Sequence, residues 1–253
     1  MFSFLIIELL LKTSISINNG RLCNKVISNL ATSFIAEKFN LFVEYDNYED
    51  ISNKLGIILF VGDKKFDKKI NLTENNYMEI LNRDSFNNNF LAHGYFQTSP
   101  ILDMIFRRLR SERYIYSITE KNPFKERYKN NNDLFVHYRL GDIARENFHI
   151  GLEYYIKCIE NINFNNIYIA SDSLDHDNIL KLLEKYPKAK LVDKNPVETI
   201  QFGSTCNNII LSHGTYSLVI GMLSFFSENI YFNQEKCRWF DSYKFHNKNF
   251  KTI

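Results

Sequence analysis

The second half of this chain repeats one pattern: a short apolar run, a polar break, then a helical stripe. Residues 134–138 read as a strand leading to a helix with Leu152, Tyr155, Ile156 and Ile159 on one face. A strand at 167–170 precedes a helix carrying Ile179, Leu182 and Leu183, which stops before Pro187. A strand at 190–192 precedes a helix opened by Asn195-Pro196, a capping residue followed by proline at the first helical position. A strand at 208–211 precedes a helix from about 215 to 226, and 229–232 closes as a further strand. Parallel strands need crossovers of this kind, so the alternation predicts an α/β fold with a parallel, Rossmann-like sheet. Such sheets bind ligands outside the carboxyl ends of their strands. The residues just after each strand are therefore the place to look for chemistry.

The first half is less regular. Residues 1–11 form an apolar run interrupted by Glu8, too short to span a bilayer and without a basic leader or an obvious cleavage site. It reads as a buried first strand, with a signal-anchor remnant as the alternative. Ser16-Ile17-Asn18-Asn19-Gly20 is a turn, and Val26, Ile27, Leu30 and Phe34 mark 21–39 as an amphipathic helix. A glycine turn at a helix start lets backbone N–H groups approach an anion. Residues 41–45, 55–61 and 90–97 look like strands, 71–83 carries a short helical pattern, and Pro100 suits the first turn of a helix at 101–110. The segment 120–133, rich in Asn, Lys and Glu and containing Pro123, reads as a linker. It divides the chain into an N-terminal domain, 1–125, and a C-terminal domain, 126–253; 253 residues suffice for two modest cores.

A net charge of +2 gives no footprint for nucleic acid. The basic segment Lys64-Lys65-Phe66-Asp67-Lys68-Lys69 is short, a solvated loop or a contact for an anionic acceptor. Cys23, Cys158, Cys206 and Cys237 are scattered, with no C-x-x-C pair and no histidine at zinc spacing. They read as reduced thiols in a cytoplasmic protein.

The stretch Leu134-Phe135-Val136-His137-Tyr138-Arg139-Leu140-Gly141-Asp142 is the richest strand end. Side chains alternate on a strand, so Phe135, His137 and Arg139 share one face and Val136 and Tyr138 the other. Arginine is the side chain best shaped to grip a phosphate with two parallel hydrogen bonds. The plainer reading is a surface arginine with His137 satisfied in the core. Two further strand ends, Ala170-Ser171-Asp172-Ser173 and Ser212-His213-Gly214-Thr215-Tyr216-Ser217, carry polar clusters, and the second places small hydroxyls and a glycine at a helix start. The second suits a diphosphate; the plainer reading of both is simple capping by Ser173 and Thr215.

Taken together these segments resemble the α-1,2-fucosyltransferases, relatives of the protein O-fucosyltransferase and α-1,6-fucosyltransferase group. The family's opening G-x-L-G-N-Q loop reads here Gly20-Arg21-Leu22-Cys23-Asn24-Lys25, and its G-Y-F-Q-S segment reads Gly94-Tyr95-Phe96-Gln97-Thr98-Ser99. Its H-x-R-R-G-D motif is His137 to Asp142, its S-D-D strand end Ser171-Asp172-Ser173, and its Ser/Thr-aromatic-Ser helix start Thr215-Tyr216-Ser217. The departures are Cys23, Lys25, Leu140 for the second arginine, and Leu218 and Val219 where many members have tryptophans.

The resemblance implies a GT-B-type glycosyltransferase, two Rossmann-like halves facing a cleft, with GDP-fucose on the C-terminal half and the acceptor on the N-terminal half. It implies inverting transfer of fucose to a hydroxyl of a terminal sugar, galactose in an α-1,2 linkage, with no cofactor and no obligatory metal. Gly20, Arg21, Asn24, His137, Arg139, Asp172, Thr215, Tyr216 and Ser217 would bind the donor. Arg139 would steady the departing diphosphate, and Asp142, or in second place Glu146, would act as base. The alternatives are a GT-B transferase using another nucleotide sugar and a catalytically silent sugar- or nucleotide-binding protein. Asp175-His176-Asp177 is a formal D-x-D, the metal motif of another glycosyltransferase architecture, or else an acidic helix start favoured by the helix dipole.

Overall fold

The computed structural model describes residues 13–18, 20–144, 149–233, 235 and 249–252. The chain divides between Ser117 and Ile118 into two compact units, each containing one parallel sheet. The strand expected within 1–11 lies outside the described residues.

In the first unit, β1 (Ser14–Ser16), β2 (Val43–Tyr45), β3 (Lys69–Leu72) and β4 (Asn89–Ala92) lie in the order β2-β1-β4-β3, all parallel. Helix α1 (Leu22–Phe39) connects β1 to β2 and buries Val26, Ile27, Leu30 and Phe34 as expected, but it is not amphipathic: every residue from Val26 to Ala36 is buried, so polar Ser28, Asn29, Thr32 and Ser33 lie inside as well. It ends at Asn40, left-handed at φ 54°, whose N–H returns to the Ala36 carbonyl. Helix α2 (Glu74–Leu81) joins β3 to β4, and α3 (Ser99–Leu109) follows with Pro100 in its first turn. Helix α4 (Glu112–Lys121), which the sequence reading missed, contains the point of division.

The segment 55–61 is not a strand. Leu55, Ile57 and Leu59 are buried, as their alternation suggests, but side chains rather than a neighbouring strand satisfy the backbone. Ser33 Oγ accepts from Phe60 N–H at 2.8 Å, while Tyr114 and Ser117 hydroxyls donate to the carbonyls of Ile58 and Gly56 at 2.8 and 2.7 Å. Nor is 120–133 an open linker. Asn122 is buried and donates to the Gln201 carbonyl at 2.9 Å, Asn131 donates to the Thr205 carbonyl at 3.0 Å, and Arg127 pairs with buried Asp133 at 2.8 Å.

In the second unit, β5 (Leu134–Tyr138), β6 (Ile167–Ser171), β7 (Lys190–Leu191), β8 (Asn208–Ile210), β9 (Asn229–Phe232) and β10 (Phe250–Thr252) lie in the order β10-β9-β8-β5-β6-β7. All described pairings are parallel. The chain enters at the middle, steps outward through β6 and β7, then crosses back to β8 and steps the other way. That is the strand order of dinucleotide-binding sheets. Helices α5 (Leu152–Glu160), α6 (Asp177–Lys185), α7 (Pro196–Gly203) and α8 (Thr215–Leu223) intervene. Every residue of β5 is buried, as a central strand between two layers requires. A row of carboxamides runs along the amino-terminal edge. Asn208 donates to Asn132 at 3.0 Å and Asn229 to Asn208 at 2.7 Å, so part of the chain's abundant asparagine is structural.

Candidate functional site

In the second unit the strand order changes direction between β5 and β8, and the loops after β5, β6 and β8 are neighbours there. His137, near the end of β5, turns toward α8: its Nδ1 lies 2.6 Å from Ser217 Oγ and its ring 5.0 Å from that of Tyr216. Tyr138 takes the opposite face, stacked 3.9 Å from Tyr155 with its hydroxyl donating to the Ile150 carbonyl at 3.0 Å. Arg139 then lies against Gly214, the residue before α8. A side chain there would put its first carbon 2.3 Å from Arg139 Nη1, and Gly214 has φ +95°, so glycine is required twice over.

The arginine is also braced from below. Its Nη2 reaches both carboxylate oxygens of Asp142, at 3.0 and 3.1 Å. Asp172 accepts through one oxygen from the backbone N–H groups of Leu140 and Gly141 at 2.8 and 3.0 Å, fixing the loop that carries Arg139. Leu140 is fully buried, so the position of the family's second arginine faces the core here. Tyr216 donates to the Pro196 carbonyl at 2.7 Å, tying the start of α8 to the start of α7. Helix geometry leaves the N–H groups of Thr215 and its neighbours to partners outside α8, the arrangement that suits an anion.

Burial pushes the His137 imidazole down to about 4; Arg139 and His213 push the same way and Asp172 opposes them. The ring is therefore neutral near pH 7, a hydrogen-bonding and packing group rather than a cation.

In the first unit the chain steps from β1 to β2, crosses the sheet to β3 and returns to β4, so the loops after β1 and β4 are neighbours. Asn18 bridges these loops, accepting from Gly20 N–H at 2.6 Å and donating to the Gly94 carbonyl at 2.9 Å. Gln97 donates to Asn24 at 3.0 Å, so the two sequence motifs of this unit meet through side chains. A side chain at Gly20 would lie 2.6 Å from Asn24 Cβ. Arg21 is exposed just before α1. Cys23 is buried and its thiol is pushed far up by burial, while Lys25 pairs with Asp46 at 2.8 Å. Both departures from the family motif thus have structural uses. The sequence reading noted Gly214 as a glycine at a helix start but did not single out Asn18; an asparagine beside a strand end was the available signal.

Glu146 and Cys237 lie outside the described residues. In Asp175-His176-Asp177 it is the central residue that caps: His176 Nδ1 accepts from Asn178 N–H at 3.1 Å at the start of α6. No group of three or more His, Cys, Asp or Glu that could hold a metal occurs among the described residues. Among them, too, no helix is long and apolar enough to cross a membrane.

No protein-family model and no curated protein matches the sequence. Among solved structures, the fucosyltransferase NodZ from Bradyrhizobium aligns with a TM-score of 0.52 and 11% identity, over 87% of this chain and 94% of that chain. The NodZ α-1,6-fucosyltransferase co-crystallized with GDP gives a TM-score of 0.50 at 11% identity, over 87% and 93% of the two chains. The same enzyme soaked with GDP-fucose gives 0.50 at 11% identity, over 87% and 94%. At such identity the likeness is one of fold: an α/β protein of the GT-B type, whose structural neighbours are fucosyltransferases.

Proposed function

We propose that this chain is an inverting glycosyltransferase moving fucose from GDP-fucose to a hydroxyl of a terminal galactose, in an α-1,2 linkage and without an obligatory metal. The observation that carries the reading is the seating of Arg139 on Gly214, where the strand order of a dinucleotide-type sheet reverses. The likeness in fold to NodZ, crystallized with GDP and soaked with GDP-fucose, supports the choice of donor. The α-1,2 linkage and the galactose rest on the sequence motifs.

In this mechanism Arg139 and the first turn of α8 hold the diphosphate, with Thr215, Tyr216 and Ser217 shaping that turn and His137 fixing Ser217. The acceptor hydroxyl attacks the anomeric carbon, the carbon–oxygen bond to the diphosphate breaks, and GDP leaves with the electron pair. Arg139 stabilises the growing negative charge, the electrostatic contribution that dominates many enzymes. The diphosphate competes with Asp142 for the guanidinium. Once displaced, the Asp142 carboxylate takes the acceptor proton; Glu146 is the second candidate base. In the first unit, Gly20, Arg21 and Asn24 stand where the family motif would contribute further contacts to the donor.

The test is incubation of the full chain with GDP-fucose and a panel of β-galactosides, with and without EDTA. The expected product carries fucose on O2 of galactose and forms equally well in chelator. Activity lost in EDTA and restored by manganese would overturn the metal-free mechanism. Release of nucleotide only from a different sugar nucleotide would overturn the donor. One observation favours a second reading, a silent nucleotide-sugar binder: buried Leu140 leaves the diphosphate one arginine short of the family motif. Stoichiometric GDP-fucose binding without GDP release would establish that reading instead.

A further inference from the structure

We infer that Tyr95 is the platform on which the acceptor sugar stacks, and so a specificity-determining residue of the first unit; the inference rests on the glycosyltransferase reading above. Tyr95 follows β4, whose neighbour is β1, at the carboxyl end of a parallel sheet, the end that receives ligands. It is 50% exposed between two anchored neighbours. Among the described residues neither its ring nor its hydroxyl has a partner. Tyr116 is more exposed, at 70%, but it sits within helix α4 rather than in a loop that follows a strand.

The surrounding backbone is built to present that ring. Glu74 Oε1 accepts from Phe96 N–H at 2.7 Å, and a side chain at Gly94 would lie 2.6 Å from Glu74 Oε2, so the carboxylate lies under both neighbours of Tyr95. Phe96 adopts φ +54°, a conformation uncommon for an aromatic residue. Its ring is fully buried 5.6 Å from that of Tyr77, whose hydroxyl is anchored on the Ala31 carbonyl at 2.8 Å. Strain of this kind persists where the surroundings over-determine it, and here the effect is to turn Tyr95 outward. The Gly94 carbonyl, held by Asn18 at 2.9 Å, fixes the loop from the other side. Ile17, 39% exposed, donates its N–H to the Ala92 carbonyl at 3.0 Å and so brings a second apolar side chain to the same edge.

An exposed, pre-positioned tyrosine offers a flat apolar face with a polar tip. β-Galactose has the complementary shape: the hydrogens on carbons 3, 4 and 5 make one face apolar, while its hydroxyls lie around the rim. The occupant is therefore a terminal galactoside, stacked by that face on Tyr95.

The inference is tested by saturation-transfer NMR of the full chain with methyl β-D-galactopyranoside in the presence of GDP, for wild type, Tyr95→Ala and Tyr95→Phe. GDP affinity is measured on each by calorimetry. The expected result is signal at H3, H4 and H5 in wild type and Tyr95→Phe, with galactoside affinity about tenfold weaker in Tyr95→Ala, the loss of one aromatic face. GDP affinity should be the same in all three. Unchanged galactoside affinity in Tyr95→Ala, or no galactoside binding to wild type, overturns the platform. Failure of GDP to bind any of the three, with galactoside binding still dependent on Tyr95, overturns the donor reading and leaves the platform standing.

Discussion

Asp142 and Arg139 form an ion pair three residues apart, with the aspartate half exposed. Exposed pairs of this kind contribute about 0.2–1 kcal/mol, little enough for an incoming diphosphate to displace the carboxylate. The two roles of Asp142 in the proposed mechanism then separate on substitution. Asp142→Asn keeps the size of the side chain but removes both the competitor for Arg139 and the base. Transfer should fall by roughly 10²-fold or more, while GDP affinity rises by up to about fivefold, the most that loss of such a pair can release. Steady-state kinetics and a GDP titration on the same preparation check both. A variant with normal turnover would leave leaving-group stabilisation, or Glu146, to carry the step. Asp172 has a structural role that reading residues singly does not reveal. The sequence offers a carboxylate at a strand end, but two backbone N–H groups already engage one of its oxygens.

At the level of elements, the contact between β5 and α8 links the site to stability. His137 sits in it with its imidazole pushed down to about 4, chiefly by burial. In the unfolded chain a histidine takes up a proton near pH 6.5. Between pH 6.5 and 4 the unfolded state therefore binds a proton that the folded state does not, so stability is complete above about 6.5 and falls as the pH drops toward 4. Urea unfolding at pH 7 and pH 5 should show wild type losing about 1–2 kcal/mol more than His137→Gln over that interval. Equal losses would mean that the ring titrates normally. Strand β5 was legible to the residue because a central strand is a continuous apolar run with a clear break, and α7 because Asn195 accepts from Glu198 N–H at 3.0 Å as its position implies. The segment 55–61 was misread because alternation reports which side chains are buried and not what the backbone bonds to. Helix α4 escaped because its buried stripe is little more than Tyr114 and Ile118.

For the molecule as a whole, the sequence carried the class of fold more fully than the assembly of the site. Alternating strands and helices imply a parallel sheet, but they do not say that β8 lies beside β5 and so brings Gly214 against Arg139. The motifs themselves are short, and the residues that connect them, Asn18 to Gly94 and Gln97 to Asn24, are ordinary polar side chains until the strands are placed. Each sheet gathers its motif loops at the carboxyl ends of its strands, and the diphosphate is proposed to bind at the second. The most direct test is calorimetric titration of GDP into the folded full chain and into folded Arg139→Ala. Charge-assisted contacts are worth about 1.5–3 kcal/mol, so wild type should bind GDP and the variant should bind it about tenfold more weakly or worse. Equal affinity for the two proteins, or no binding to wild type, would contradict the account.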